Sequence, residues 1–234
     1  MPEENWLLCC FHKCLRTLLQ EIKILLKLPK QIPIFPLLGV VMFPNTYLPL
    51  NIFEPRYLKM IDEALATESR LIGMIQPMVV KDKLDASFHK VGCAGKIIKF
   101  EEVEDSRYLI TLKGFCRFNL IKEKTNDNNF KVAEIDSSNF VKDFEKEKVK
   151  ESFGNLKIAL KKYFHAKDIR VNTEIIDECR DYNLADQIAM ICPLDSEEKQ
   201  LLLETLSITK RNALLLSIIE SYTSEANISE VIKH

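Results

Sequence analysis

Glycine is scarce in this chain, six of 234 residues, at positions 39, 73, 92, 95, 114 and 154. They lie too far apart to build the G-x-x-x-x-G-K-[ST] phosphate cradle, which excludes a P-loop ATPase here. No G-x-S-x-G, H-E-x-x-H or C-x-x-C occurs either, so the spacings of a nucleophile elbow, a helical zinc site and a redox dithiol are all missing. His89 and His165 stand alone, without a neighbouring nucleophile to activate. Glu101, Glu102, Glu104 and Asp105 read as a solvated turn rather than a general acid and base. No enzymatic activity is expected.

A surplus of one charge is also missing. Lys and Arg number 33, Asp and Glu 34, and the net charge is −1. Proteins that hold nucleic acid by bulk electrostatics carry a basic excess, so no nucleic-acid partner is expected, although a local patch is compatible with this balance. The seven cysteines are odd in number and scattered; they read as reduced thiols in a cytoplasmic protein, not a disulfide framework. Cys9, Cys10, His12 and Cys14 crowd into six residues, whereas zinc ligands come as two pairs joined by a longer loop. No metal or cofactor is expected.

Long apolar runs are lacking as well. The stretch "WLLCCFHKCLRTLLQEIKILLKL" is broken by Lys13, Arg16, Glu21 and Lys23, which excludes a transmembrane span and leaves too short a core for a secretion signal. Its Trp6, Leu7, Cys10, Cys14, Leu18 and Leu25 recur at helical spacing, predicting an amphipathic leader helix within residues 1–30. Docking on the body of the protein, a lipidated surface anchor and a mis-assigned start codon all account for such a leader.

What is present divides into two grammars. Residues 31–138 read as short strands: "IPIFPL", "VVMFPNTYLPLNIF", "LIGMIQPMVV", "VGCAGKIIKFEEV", "RYLITLKG", "FCRFNLIKE" and "FKVAEID". Proline inside such runs marks edges and bulges, and Gly73, Gly92, Gly95 and Gly114 mark the tight bends of a small barrel. One helix interrupts them: Pro55 suits its first position, and Tyr57, Leu58, Ile61, Ala64 and Leu65 share a face. Residues 139–234 read as helices. Phe144, Val149, Phe153, Leu156, Leu160 and Phe164 predict the buried side of the first, and Asp195 with Glu198 a capping-box start further on.

The most distinctive stretch is "PLNIFEPRY", where a strand passes into a helix without a glycine turn. Two readings stay open for Asn51, Phe53, Glu54, Arg56 and Tyr57. In one, Phe53 and Tyr57 fill the seam between barrel and helix while Glu54 and Arg56 pair or cap. In the other, the aromatics line a peptide groove and Arg56 holds a carbonyl or carboxylate. Met74 and Gln76 would extend that groove, flexible Met side chains suiting promiscuous binding. Arg117 and Phe118 are read likewise, on opposite faces of one strand.

"IPIFPL", "FPNTYLPLNIFEPRY", "RLIGMIQP", "VGCAGKI", "RYLITLKGFCRF" and "PLDSEEKQLLLE", in this order, resemble the substrate-binding N-terminal domain of the ATP-dependent Lon protease, and especially the small bacterial proteins made of that domain alone. The likeness spans about residues 31–220. It implies an α+β fold: a PUA-like β pseudobarrel with an inserted helix, then a C-terminal helical bundle, behind the N-terminal helix. It also implies a non-catalytic role in quality control or regulated proteolysis, binding unfolded or degron-bearing polypeptide, with a separate ATP-dependent protease as partner; cereblon carries a similar domain. The ATPase and Ser-Lys peptidase of the full-length protease have no counterpart here, so a label of peptidase would come from the name only. PUA-like barrels also bind RNA, which is the alternative reading.

Overall fold

A computed structural model describes residues 28–80, 83–104, 107–144, 154–170 and 184–231, apart from the side chains of 79–86 and 225–231. The leader helix expected in residues 1–30, Val149 and Phe153 lie outside the described part, as do Cys9, Cys10, His12 and Cys14.

Eight strands are described: β1 (Gln31–Pro36), β2 (Tyr47–Ile52), β3 (Leu71–Ile75), β4 (Pro77–Val80), β5 (Lys83–Phe88), β6 (Val91–Val103), β7 (Arg107–Thr125) and β8 (Lys131–Asp136). β1 runs parallel to β3 and antiparallel to β8; β3 pairs with β6, β6 with β7, and β7 with β8. These pairings return to β7 and close a ring. β2 lies outside it on β7, and β4 with β5 forms a separate hairpin. The hairpin expected from "EEVEDSRYLITL" is present as the antiparallel pair β6 and β7, with Val103 opposite Arg107; Asp105 and Ser106 of its turn lie outside the described residues.

Closure depends on β7, whose 19 residues serve three neighbours: β2 and β6 flank its first part on opposite edges, and β8 pairs with its last part. Its register shifts near Gly95, near Ile97 and near Leu120, and such bulges bend a strand and increase its twist. Gly114 lies opposite Gly95 at the first shift. Its N–H donates to the Thr46 carbonyl at 2.9 Å, and its own carbonyl accepts the Asn45 N–H at 2.9 Å. A Cβ on Gly114 would overlap the Phe43 carbonyl. Only glycine allows this approach of the two backbones.

The helices are α1 (Pro55–Leu65), α2 (Gly154–Ala166), α3 (Leu184–Ile191), α4 (Ser196–Glu204) and α5 (Ile208–Val231). Pro55 occupies the first turn of α1, as expected, and Tyr57, Met60, Ile61 and Ala64 are its buried residues. Leu58 and Leu65 of the expected face are only half-buried, with Met60 taking a central place. Phe144 belongs to a 3-10 segment (Ser138–Phe144), not to the helix expected there. Its ring packs edge-on against Phe115, so packing on β7 decides its place. The helical run after Pro193 forms two helices, α4 and α5, separated at Thr205–Ser207. Asp195 and Glu198 do form a capping box at α4: Asp195 donates its N–H to Glu198 Oε2 at 3.0 Å, and the same oxygen accepts the Tyr222 hydroxyl at 2.9 Å.

Two apolar cores result. Inside the ring lie Ile32, Ile34, Leu71, Ile75, Ala94, Phe118, Ala133 and Ile135. The larger core is continuous from Met42, Phe43, Met60 and Ile61 through Leu160 and Leu184 to Leu202, Leu215 and Ile219. Strands and helices therefore share one interior.

Candidate functional site

The nine residues singled out in the sequence do not form one surface. Met74 and Phe118 are fully buried in the cores. Gln76 is 1% exposed; its Oε1 accepts the Gly39 N–H at 2.9 Å, and its Nε2 donates to the Ser196 carbonyl and to Gln200 Oε1 at 3.0 and 3.2 Å. It ties a barrel loop to α4.

Arg117 is 1% exposed, and its neighbour Phe118 points into the ring, so the two do occupy opposite faces. Arg117 Nη2 donates to Asp143 Oδ1 at 2.6 Å, and Nη1 to the carbonyls of Leu203 and Thr205 at 3.0 and 2.8 Å. With its donors spent on these partners, the guanidinium has none to offer a client. The sequence signal for this was absent, since Asp143 and Thr205 are remote along the chain.

The strand-to-helix joint is different. Phe53 is 64% exposed, which removes it from the seam between barrel and helix. Tyr57 alone fills that seam, edge-on to Phe35 with ring centroids 4.5 Å apart. Arg56 lies over the Tyr57 ring at 4.5 Å and pairs with Glu54 at 2.9 Å, both side chains about half exposed. Such an exposed pair adds little to stability; its effect is to hold the guanidinium over the ring. Burial raises the Tyr57 hydroxyl above its usual value, opposed by Arg56 and aided by Glu54.

The sheet face beside this joint carries residues missed in the sequence. In β2, Tyr47, Pro49 and Asn51 are exposed while Leu48, Leu50 and Ile52 turn inward. Tyr47 stands opposite Lys113, Pro49 opposite Thr111, and Asn51 opposite Leu109. On β6, Lys96, Lys99 and Glu101 stand opposite the same three β7 residues. Residues facing across a ladder share a side, so these nine form one outer face. Strict alternation in "YLPLN" was the available clue. No described group of His, Cys, Asp or Glu could hold a metal ion, and no described helix is long and apolar enough to cross a membrane.

Residues 31–221 match the family described as the ATP-dependent protease La (LON) substrate-binding domain. The chain belongs to this family. Relatives of this LON domain include the Lon protease of Syntrophus aciditrophicus (strain SB), 28% identical over 198 residues, which cover 79% of this chain and 24% of that protein. The chain thus spans about a quarter of the length of the curated relatives it matches. Among solved structures, the Lon N-terminal domain protein from Xanthomonas campestris matches with a TM-score of 0.59 at 22% identity, covering 81% of this chain and 98% of that one. The N-terminal domain of Mycobacterium avium complex Lon protease matches with a TM-score of 0.54 at 16% identity, covering 83% and 98%. At these identities the two structures establish the LON N-terminal fold, α+β, and nothing finer.

Proposed function

We propose that this LON domain is a non-catalytic module that binds unfolded or degron-bearing polypeptide, in quality control or regulated proteolysis, and presents it to a separate ATP-dependent protease. The observation that carries the reading is Phe53. A large aromatic ring left in solvent at a rigid strand-to-helix joint, beside Arg56 and Asn51, has no packing role to explain it, and an exposed aromatic beside polar groups suits client capture. Family membership supports the same reading. The closed ring of pairings supports describing residues 31–138 as a PUA-like pseudobarrel, with 139–234 as a helical subdomain on the shared core. Neither ATP hydrolysis nor proteolysis belongs to this stretch of chain.

The test is fluorescence anisotropy with an unfolded casein-like chain. Affinity on the order of micromolar, improving with client length, is expected. The double variant Phe53→Ala, Arg56→Ala should bind about tenfold more weakly, with its melting temperature unchanged. No binding by the parent protein, or full affinity in the folded double variant, overturns the reading.

A further inference from the structure

We propose that the free edge of β2 accepts an extended polypeptide segment as an added antiparallel or parallel strand, and that the lysines of the adjoining outer face favour segments carrying carboxylates. This rests on the polypeptide-binding reading above and specifies how the client is held.

Hydrogen-bond parity indicates which groups are available. The Gly114 N–H donates to the Thr46 carbonyl, and the register continues as Tyr47 opposite Lys113 and Leu48 opposite Leu112. In an antiparallel ladder, hydrogen-bonded and non-hydrogen-bonded pairs alternate. Leu48, Leu50 and Ile52 therefore spend their backbone groups on β7, while Tyr47, Pro49 and Asn51 turn theirs away from it. Pro49 agrees independently, because its missing N–H falls where β7 needs no donor. Among the described residues β2 has no strand on its other side. The edge thus offers two N–H donors, of Tyr47 and Asn51, and three carbonyl acceptors. Proline keeps such an edge from pairing without limit, while the groups that remain suit a short client strand.

Charge narrows the client. Lys96 and Lys113 are directly opposite one another on the outer face, and Lys99 is one row away. All three are exposed, and none has a carboxylate within ion-pair distance among the described residues. Like charges directly opposite destabilise a sheet, and Glu101 is the one acidic residue of these three rows. An added strand lies about 4.8 Å beyond β2, hence about 10 Å from β7 and about 14 Å from β6; a glutamate on its outward side meets the Lys113 stem across Tyr47, while Lys96 and Lys99 on β6 act on it only through their longer-range field. Alternating acidic and apolar residues fit best, the apolar ones lying beside the half-buried Leu48 and Leu50. A peptide is favoured over RNA because backbone amides and carbonyls line the edge, with Tyr47 the only aromatic ring in the three rows.

The experiment uses the full chain and a labelled (Glu-Val)4 octapeptide in three forms: unmodified, N-methylated on alternate residues along one edge, and N-methylated along the other edge. Strand addition uses only one peptide edge, and a one-residue slip would turn the glutamates to the wrong face. The expected result is a roughly tenfold or greater loss for one methylated form and little change for the other. Asn51→Pro, which removes a donor that β7 does not use, should weaken the unmodified peptide similarly without lowering the melting temperature. Lys99→Glu with Lys113→Glu should abolish the preference for (Glu-Val)4 over (Lys-Val)4. Equal binding, or equal loss, of the two methylated forms overturns strand addition; if the casein-like chain still binds, the reading of general polypeptide binding survives. (Lys-Val)4 binding as well as (Glu-Val)4, or displacement of the peptide by an oligouridylate, overturns the acidic-client assignment. Failure of every client to bind overturns both.

Discussion

Arg117 of β7 and Arg211 of α5 donate to the same acceptor: Nη1 of each lies 2.8 Å from the carbonyl oxygen of Thr205. That carbonyl belongs to the residue ending α4, where helix carbonyls lack internal partners. Each guanidinium has its own buried carboxylate, Asp143 at 2.6 Å and Asp186 at 2.6 Å. Burial pushes the Asp186 carboxyl upward, and Arg211 opposes it. Strand, 3-10 segment and three helices thus meet at one carbonyl.

Arg117→Ala should be among the most damaging single changes. It leaves Asp143 buried without its cation and takes a donor from the carbonyls of Leu203 and Leu206, while that of Thr205 keeps Arg211, so a loss of about 3–5 kcal/mol is expected. Arg117→Met combined with Asp143→Asn should recover part of this, because the uncompensated charge is gone while an acceptor for the residue 117 N–H is kept. Denaturant unfolding of both variants measures the difference; equal stability of Arg117→Ala and the parent would show that the network contributes nothing.

Three glycines should rank by what a Cβ would meet. At Gly114 it would strike the Phe43 backbone, which cannot move aside. At Gly92 it would lie 2.5 Å from the Phe118 ring and 2.7 Å from the Met74 carbonyl, and at Gly95 2.5 Å from the Met42 methyl. A Met side chain is flexible and yields. Gly114→Ala and Gly92→Ala should cost on the order of 1–3 kcal/mol or more, and Gly95→Ala distinctly less. Melting curves showing Gly95→Ala as the worst of the three would contradict this.

Alkaline pH should destabilise the fold. Burial raises the Cys192 thiol from its usual 9.0 to about 11, with Lys199 pulling it down, and raises the Tyr163 hydroxyl from 10.0 to about 12. Burial also raises Cys93 and Cys116. The folded chain keeps protons that the unfolded chain releases, so this contribution is intact below about pH 9 and is lost as pH rises through 11. Lys199, lowered by burial, has the opposite sign, but it is one group against several. Melting temperatures between pH 8 and 11 should fall. In a variant with Cys9, Cys10, Cys14 and Cys179 changed to Ser, the buried Cys93, Cys116 and Cys192 should stay unmodified by a thiol reagent until denaturant is added.

Phe53→Ala and Arg56→Ala, made separately, should both leave the melting temperature within about a degree or two, since exposed side chains contribute little. Each should lower client affinity. A folded Arg56→Ala protein with parental affinity would remove Arg56 from the site.

The local features were legible because a few adjacent residues determine them. Pro55 starting α1, the Asp195–Glu198 capping box and the pairing of β6 with β7 depend on neighbours within four residues or on a short alternating pattern. The family likeness was legible for a related reason: its motifs sit at those strands and joints. Exposure was different. Phe53 and Arg117 look equally available in the sequence, each an unusual residue beside a strand, yet one ring stands in solvent and the other side chain is sealed under α4. Partners 26 and 86–89 residues away decide that for Arg117, and no local pattern encodes which distant carbonyls a guanidinium will reach. The break between α4 and α5 is partly of this kind, since the Thr205 carbonyl accepts from Arg117 of β7, 88 residues away, as well as from the nearby Arg211. By itself the sequence determined where α1 and α4 begin, the strand-rich and helix-rich order of elements, and the family. Only the tertiary structure decided which candidates face solvent, because burial depends on contacts between segments far apart in the chain.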